Sequence, residues 1–154
     1  MDARIYDKVI EVEVGTDTAA HAANDVVCQP VELVDAVRAG GCSVVQSVTV
    51  ADSDDQGSAL DVVFLRSNVA VGANNAAMAI SDNHVDEVLG YVSVSSYLNL
   101  ANNQVGVVRN VGLVIEADPD DADNDRSIWM ALRTTGTPTY ASGNLTVKIG
   151  LLRG

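Results

Sequence analysis

The stretch Asn144-Leu-Thr-Val-Lys-Ile-Gly-Leu151 alternates along its whole length. Leu145, Val147, Ile149 and Leu151 fall on one side, while Asn144, Thr146 and Lys148 fall on the other. Period two marks a half-buried β-strand, because successive side chains of an extended chain point to opposite faces. The same pattern runs through Ile10, Val12 and Val14, with Glu11 and Glu13 facing away. A third alternation sets Ile128, Met130 and Leu132 against Ser127, Trp129 and Ala131, which reads as the polar side. Segments 43–51 and 60–66 carry apolar residues on both faces, as central strands do, and shorter strands are expected near 31–37, 90–96, 104–108 and 111–116. Valine dominates the apolar content, and its branched side chain packs well on a pleated surface. Turn clusters separate the runs: Ala39-Gly40-Gly41, Ser53 to Gly57, Gly72 to Asn75, Asn102-Asn103 and Asp118-Pro119-Asp120. Many short strands punctuated in this way predict an all-β sandwich or barrel. One short helical turn is expected near 82–89, with Asp82 capping it and Val85, Val88 and Leu89 sharing a face.

Length and charge narrow the function. The 154 residues suit a single domain over 1–154, with an exposed N-terminal arm at 1–6. The chain holds 21 acidic and 9 basic residues, a net charge of -12, yet 47% of it is hydrophobic and 19% charged, so it is not a disordered acidic tail. A pI near 4.2 disfavours binding to a phosphate backbone, so nucleic acid is not an expected partner. No apolar run approaches the roughly 20 residues of a membrane span, and no secretory signal opens the chain. A soluble protein made in the cytoplasm, with two small buried thiols, Cys28 and Cys42, is the resulting expectation.

No motif announces chemistry. Asp121, Asp123 and Asp125 reproduce the D-x-D-x-D start of a calcium loop. Arg126 stands where a glycine should allow the sharp turn, and Leu132 where a bidentate Glu should close the shell. A solvated acidic hairpin loop is therefore expected, and no metal is assigned. His21, Cys28, Cys42 and His84 lack the paired spacing of a zinc site. There is no G-x-S-x-G elbow, and Gly40-Gly41 lacks the spacing and following helix of a phosphate loop. No cofactor or catalytic residue is expected. Asn144-Leu145-Thr146 matches a glycosylation sequon at the start of the clearest strand, where chance is the better account. Trp129, on the polar side of its pattern, is expected either under a loop or as an interface anchor; with Arg4 and Tyr6 of the arm it completes the candidate interface residues.

One long stretch is familiar as a whole. It comprises Val31-Glu-Leu-Val-Asp-Ala-Val37, Arg38-Ala-Gly-Gly41, Ser47-Val-Thr-Val-Ala-Asp52, Asp54-Asp-Gln-Gly57 and Ala59-Leu-Asp-Val-Val-Phe-Leu-Arg-Ser-Asn-Val69. Ala79-Ile-Ser-Asp82 and Val88-Leu-Gly-Tyr-Val-Ser-Val94 close it, and Thr146-Val-Lys-Ile-Gly-Leu-Leu152 fits the same pattern. Together these resemble the small capsid decoration (cement) proteins of tailed double-stranded DNA viruses. The resemblance covers about two thirds of the chain, and its most specific parts are the Gly-Gly turn, the Asp-Gln-Gly loop and Leu60–Asn68. It implies a jelly-roll-like β-sandwich on the outer surface of a virion, with the major capsid protein as partner. It also implies a homo-oligomer, a trimer before a dimer, acting through surfaces rather than individual residues. The Asp-rich, Lys-poor balance adds the expectation of a halophilic or marine host, since concentrated salt relieves self-repulsion. A carbohydrate- or receptor-binding module of a virion fibre is the alternative, and it requires clustered aromatics on a concave face. A small hydrolase requires two converging carboxylates in a cleft.

Overall fold

The computed structural model describes residues 8–121, 126–141 and 144–153, and these form nine strands. In chain order they are β1 (Lys8–Gly15), β2 (Val26–Leu33), β3 (Cys42–Asp52), β4 (Leu60–Leu65), β5 (Val88–Val94), β6 (Tyr97–Asn99), β7 (Gln104–Glu116), β8 (Ile128–Thr134) and β9 (Asn144–Arg153). They pair antiparallel into two sheets, ordered β1-β9-β3-β7-β6 and β2-β8-β4-β5. Setting the short edge strand β6 aside leaves two four-stranded sheets between which the chain alternates. That order is the jelly roll, a sandwich of two interleaved Greek keys.

The alternating strands supply the filling. Leu145, Val147, Ile149 and Leu151 of β9 point inward, as do Val14 of β1 and Val48 and Val50 of β3. Opposite them lie Leu60, Val62 and Phe64 of β4 with Ile128, Met130 and Leu132 of β8, all buried. The inward face expected for β8 is therefore the one found. Its other face is buried too: Ser127 and Ala131 are covered and Trp129 is partly so. The reason is the long β4–β5 connection, which lays Val71, Met78 and Ile80 over Val63, Leu65, Ala131 and Trp129 as a second small core. A strand under a layer on each side has no polar face, whatever its sequence period implies.

Other elements shift for local reasons. The strand expected at 31–37 ends at Leu33 and begins at Val26, because Asp35 takes a left-handed turn (φ +54°) while Ala36 and Val37 fold inward. Pro30 fits within β2 because that strand lies at a sheet edge. Segments 104–108 and 111–116 are one strand, joined through a bulge at which Asn110 (φ +57°) and Gly112 (φ +70°) turn left-handed opposite Gln46. The helical turn is a single 3-10 turn, Val85–Glu87, with His84 rather than Asp82 at its N-cap position and no side-chain cap; Val85 is exposed, and Val88 and Leu89 already belong to β5.

The Asp-Gln-Gly loop after β3 is organised by one buried carboxylate. Asp52 Oδ1 accepts the Asp54 N–H at 2.9 Å, and Oδ2 accepts the N–H groups of Gln56 and Gly57 at 2.9 and 2.8 Å. Gly57 has φ +55°, and a Cβ there would sit 2.2 Å from the Gln104 Oε1, so the turn demands glycine twice over. Gln104 in turn donates to Asp55 Oδ1 at 2.9 Å, and Gln56 Oε1 accepts the Thr139 N–H at 3.0 Å. One loop thus ties the start of β7 and the β8–β9 connection to the same end of the sandwich.

Candidate interaction surface

Much of the outward side of the second sheet, β2-β8-β4-β5, is occupied by the chain itself, while Glu32 and Tyr91 stay exposed on its two edge strands. Part of that face lies under the β4–β5 connection. Beside it, Asp61 accepts hydrogen bonds from Arg133 Nε at 3.1 Å, from Arg133 Nη2, and from the Ser93 hydroxyl at 2.6 Å. Asp61 is buried, so this pair is a fixed internal contact rather than a solvated one.

Among the described residues nothing roofs the outer side of the first sheet, and the strand registers lay that side out in rows. Glu13, Thr146, Ala51, Val105 and Leu98 form one row. Glu11, Lys148, Thr49 and Val107 form the next, and Val9, Gly150, Ser47 and Arg109 a third. Leu152, Val44 and Val114 form a fourth, and Cys42 and Glu116 end the face, with Glu116 paired to Arg66 at 3.0 Å. Val9, Leu98, Val107 and Val114 are among the most exposed large apolar residues, at 68, 65, 47 and 59%. Gly150 bears no side chain, and a hollow of about 420 Å³ opens there beside Val9, Gln46, Ser47 and Leu152. Lys148 lies 3.8 Å from Glu11, an exposed pair contributing at most about 1 kcal/mol.

The residues singled out from sequence are not gathered into one place. Trp129 packs against the second small core, half-buried by the loop above it. Arg4, Tyr6, Asp123 and Asp125 lie outside the described residues. Asp121 is exposed, its N–H donating to the Asp118 carbonyl at 3.3 Å. Among the described residues no three His, Cys, Asp or Glu side chains come together as a metal set. His84 is exposed and His21 buried, while Cys28 and Cys42 lie on different sheets. The thiols differ: burial pushes Cys28 up to about 11, whereas Cys42 is exposed at the start of β3, contrary to the expectation of two buried thiols. Cys42 opens a strand on the outward side of its alternation, which turns its thiol toward solvent.

Aromatic residues are equally dispersed. Phe64 is in the core, Tyr91 stands exposed on β5, and Tyr97 packs inward on β6. The hollow of about 260 Å³ beside Asp52 is lined by a single carboxylate, already holding three backbone N–H groups. His21 meets Tyr140 edge-on, with ring centroids 5.9 Å apart, and both are buried. Burial, then the nearby charge of Asp52, holds the Tyr140 phenol well above its ordinary range. Neither His21 ring nitrogen nor the Tyr140 hydroxyl has a hydrogen-bond partner among the described residues. Deleting an unpartnered buried hydroxyl removes a desolvation cost. Tyr140→Phe is accordingly expected to leave stability unchanged or raise it by up to about 1 kcal/mol in denaturant unfolding. A loss above that size would reveal a hydrogen bond to this hydroxyl.

Strand order and bare face define a jelly-roll sandwich with one uncovered sheet. No protein-family model matches the chain, and no curated protein does. Among solved structures, a chain of Desmodium yellow mottle tymovirus is similar with a TM-score of 0.28 and 11% identity, over 94% of this chain and 79% of that one. A chain of the heated full particle of Israeli acute paralysis virus gives 0.28 and 8%, over 96% and 66% of the two chains. A chain of infectious bursal disease virus, Gx strain, gives 0.17 and 11%, over 99% of this chain and 42% of that one. The architecture rests on the strand order itself rather than on these likenesses. No helix among the described residues is long and apolar enough to cross a membrane.

Proposed function

We propose that this protein is a structural component of a virion, a decoration protein seated on the outer surface of an assembled capsid. There it reinforces contacts between subunits of the major capsid protein, after synthesis in the host cytoplasm. The observation that carries the reading is the strand order: the resemblance of Val26–Val94 and the last strand to cement proteins implies a jelly roll, and β1 to β9 form one. Reinforcement of this kind works through surfaces. A protomer bridging subunits buries on the order of 1,200–2,000 Å² in total, the usual size of a specific interface. Engagement of several subunits by one oligomer multiplies the effective affinity. Binding the assembled shell and not its free subunits stabilises the shell by mass action, against heat or internal pressure. A protein of charge -12 also suits the outside of the shell, away from packaged DNA.

The deciding experiment mixes the purified protein with undecorated capsids and images the heads. Saturable density at fixed lattice positions supports the reading, and absence of binding to any capsid defeats it. The proposed salty habitat has its own check. Self-repulsion of the folded chain fades as the Debye length falls to about 3 Å near 1 M salt. The unfolding midpoint is therefore expected to rise as sodium chloride is raised toward that concentration, and equal or greater stability in dilute buffer removes the halophilic host.

A further inference from the structure

Among the described residues the β4–β5 connection roofs part of one outer sheet face, and no connection crosses the other. We infer that the bare face of β1-β9-β3-β7-β6 is where a second copy of this chain docks, giving a two-fold pair.

Charge selects both the face and the occupant. Two molecules of charge -12 repel each other in most orientations. On the rows of the outer face, however, two acids, Glu11 and Glu13, meet two bases, Lys148 and Arg109, and a third acid, Glu116 at the end of β7, is paired with Arg66 at 3.0 Å, so the face carries little net charge. The charges are also laid out with a direction. Glu11 and Glu13 stand on β1, at one margin of the sheet, and Arg109 stands on β7 toward the other, where Glu116 is already held by Arg66. Stacking two copies about a two-fold axis parallel to the strands sets the acidic margin of each over the Arg109 side of its partner. An in-plane axis across the strands sets acid over acid and Arg109 over Arg109. The layout favours the first pairing by opposite charges meeting and the second costs like-charge contact.

The area is sufficient. Four strands about 4.8 Å apart, each presenting about eight residues of ~3.3 Å rise, with the three residues of β6 at the margin, offer roughly 500–600 Å² per copy. A pair then clears about 1,000 Å², where specific interfaces begin. Val9, Leu98, Val107 and Val114 provide its apolar centre and margins, and the hollow at Gly150 receives a partner side chain. A face that stacks on its own copy closes after two subunits, so the oligomer is a dimer rather than the trimer implied by the resemblance.

Sedimentation equilibrium of the isolated full chain, with no capsid present, decides this separately from capsid binding. The wild-type chain is expected to be dimeric at micromolar concentration. Val107→Glu alters an exposed position, so its circular dichroism stays that of the wild type while dimerisation weakens on the order of a hundredfold. Val85→Glu, at a still more exposed position but on the 3-10 turn outside this sheet, leaves the dimer intact. Arg109→Glu weakens the dimer, and adding Glu11→Arg to it restores at least part of the loss. A monomeric or trimeric wild type, a dimer indifferent to Val107→Glu, or a charge swap without recovery overturns the inference. A monomeric wild type whose Val107→Glu variant loses capsid binding overturns it too, and assigns the face to the shell.

Discussion

Asp52→Ala is expected to destabilise the protein by about 3–5 kcal/mol, a large part of the roughly 5–15 kcal/mol that holds a typical domain together. The carboxylate is buried and holds three backbone N–H groups, of Asp54, Gln56 and Gly57, each at 2.8–2.9 Å. Hydrogen bonds to a charged acceptor contribute about 1.5–3 kcal/mol each, and removing the acceptor leaves its donors unpaired in a partly buried loop. Alanine also fails to impose the turn that puts Gly57 at φ +55°. The damage extends beyond the loop, because Gln104 reaches Asp55 and Thr139 reaches Gln56 from other connections. Asp52→Asn should lose roughly half as much, keeping one carbonyl oxygen but turning an NH₂ toward donors. Urea unfolding of the three proteins measures the series. A loss below about 1 kcal/mol for alanine means that the loop holds its shape without the carboxylate.

That anchor also shows where sequence reading succeeds and stops. The strands of residues 10–14 and 145–151 were legible because one face is core and the other solvent, so hydrophobicity records the pleat directly. β8 has the same alternation of side chains but a covered outer face, and nothing local in Ser127, Trp129 and Ala131 tells a roofed face from a wet one. The cover comes from residues more than forty positions earlier, a tertiary fact. Asp52 was visible only as part of a turn cluster. Its neighbours Asp54 and Asp55 are chemically identical in sequence, and only the fold gives one of the three a buried site.

The candidate surface was hidden for a related reason. In Val105, Val107 and Val108 the apolar residues lie on both sides of β7, which reads equally well as a buried central strand. Deciding which valine is outward needs the register: Gly106 faces Tyr97 inside, so Val105 and Val107 face out. The bulge at Asn110 to Gly112 then shifts the alternation, bringing Val114 to the same outer side. A signal was available in the glycines, since Gly106 and Gly112 break the pattern at the places where the strand packs closely or bends. Trp129 drew attention as an aromatic on the polar side of its alternation, whereas the outward valines are individually ordinary and matter only as a set.

Phe64→Ala is expected to cost about 3–5 kcal/mol, toward the upper end, and to lower the melting temperature by roughly 10 °C or more. Phe64 is the sole phenylalanine of the chain and is fully buried on β4, one residue before its end, paired with Gly90 of β5 and Met130 of β8. The space over its partner Gly90 is taken by Leu113 of the facing sheet, a methyl of which would lie 2.7 Å from a Cβ there, so the packing around the ring is already close. Truncation therefore opens a cavity between the sheets. How much of that cavity closes depends on the surrounding side chains, and here many are valines. A β-branched side chain has one strongly preferred rotamer and little reach, so it collapses poorly into a void. Phe64→Leu keeps most of the volume and should cost only about 1.5 kcal/mol or less. The measurement is denaturant unfolding with the slope compared across variants, because an unchanged slope assigns the loss to the native core. Should Phe64→Ala cost less than about 2 kcal/mol, the valine core is more compliant than its rotamers imply, and Met130, the flexible neighbour, becomes the side chain that fills the gap.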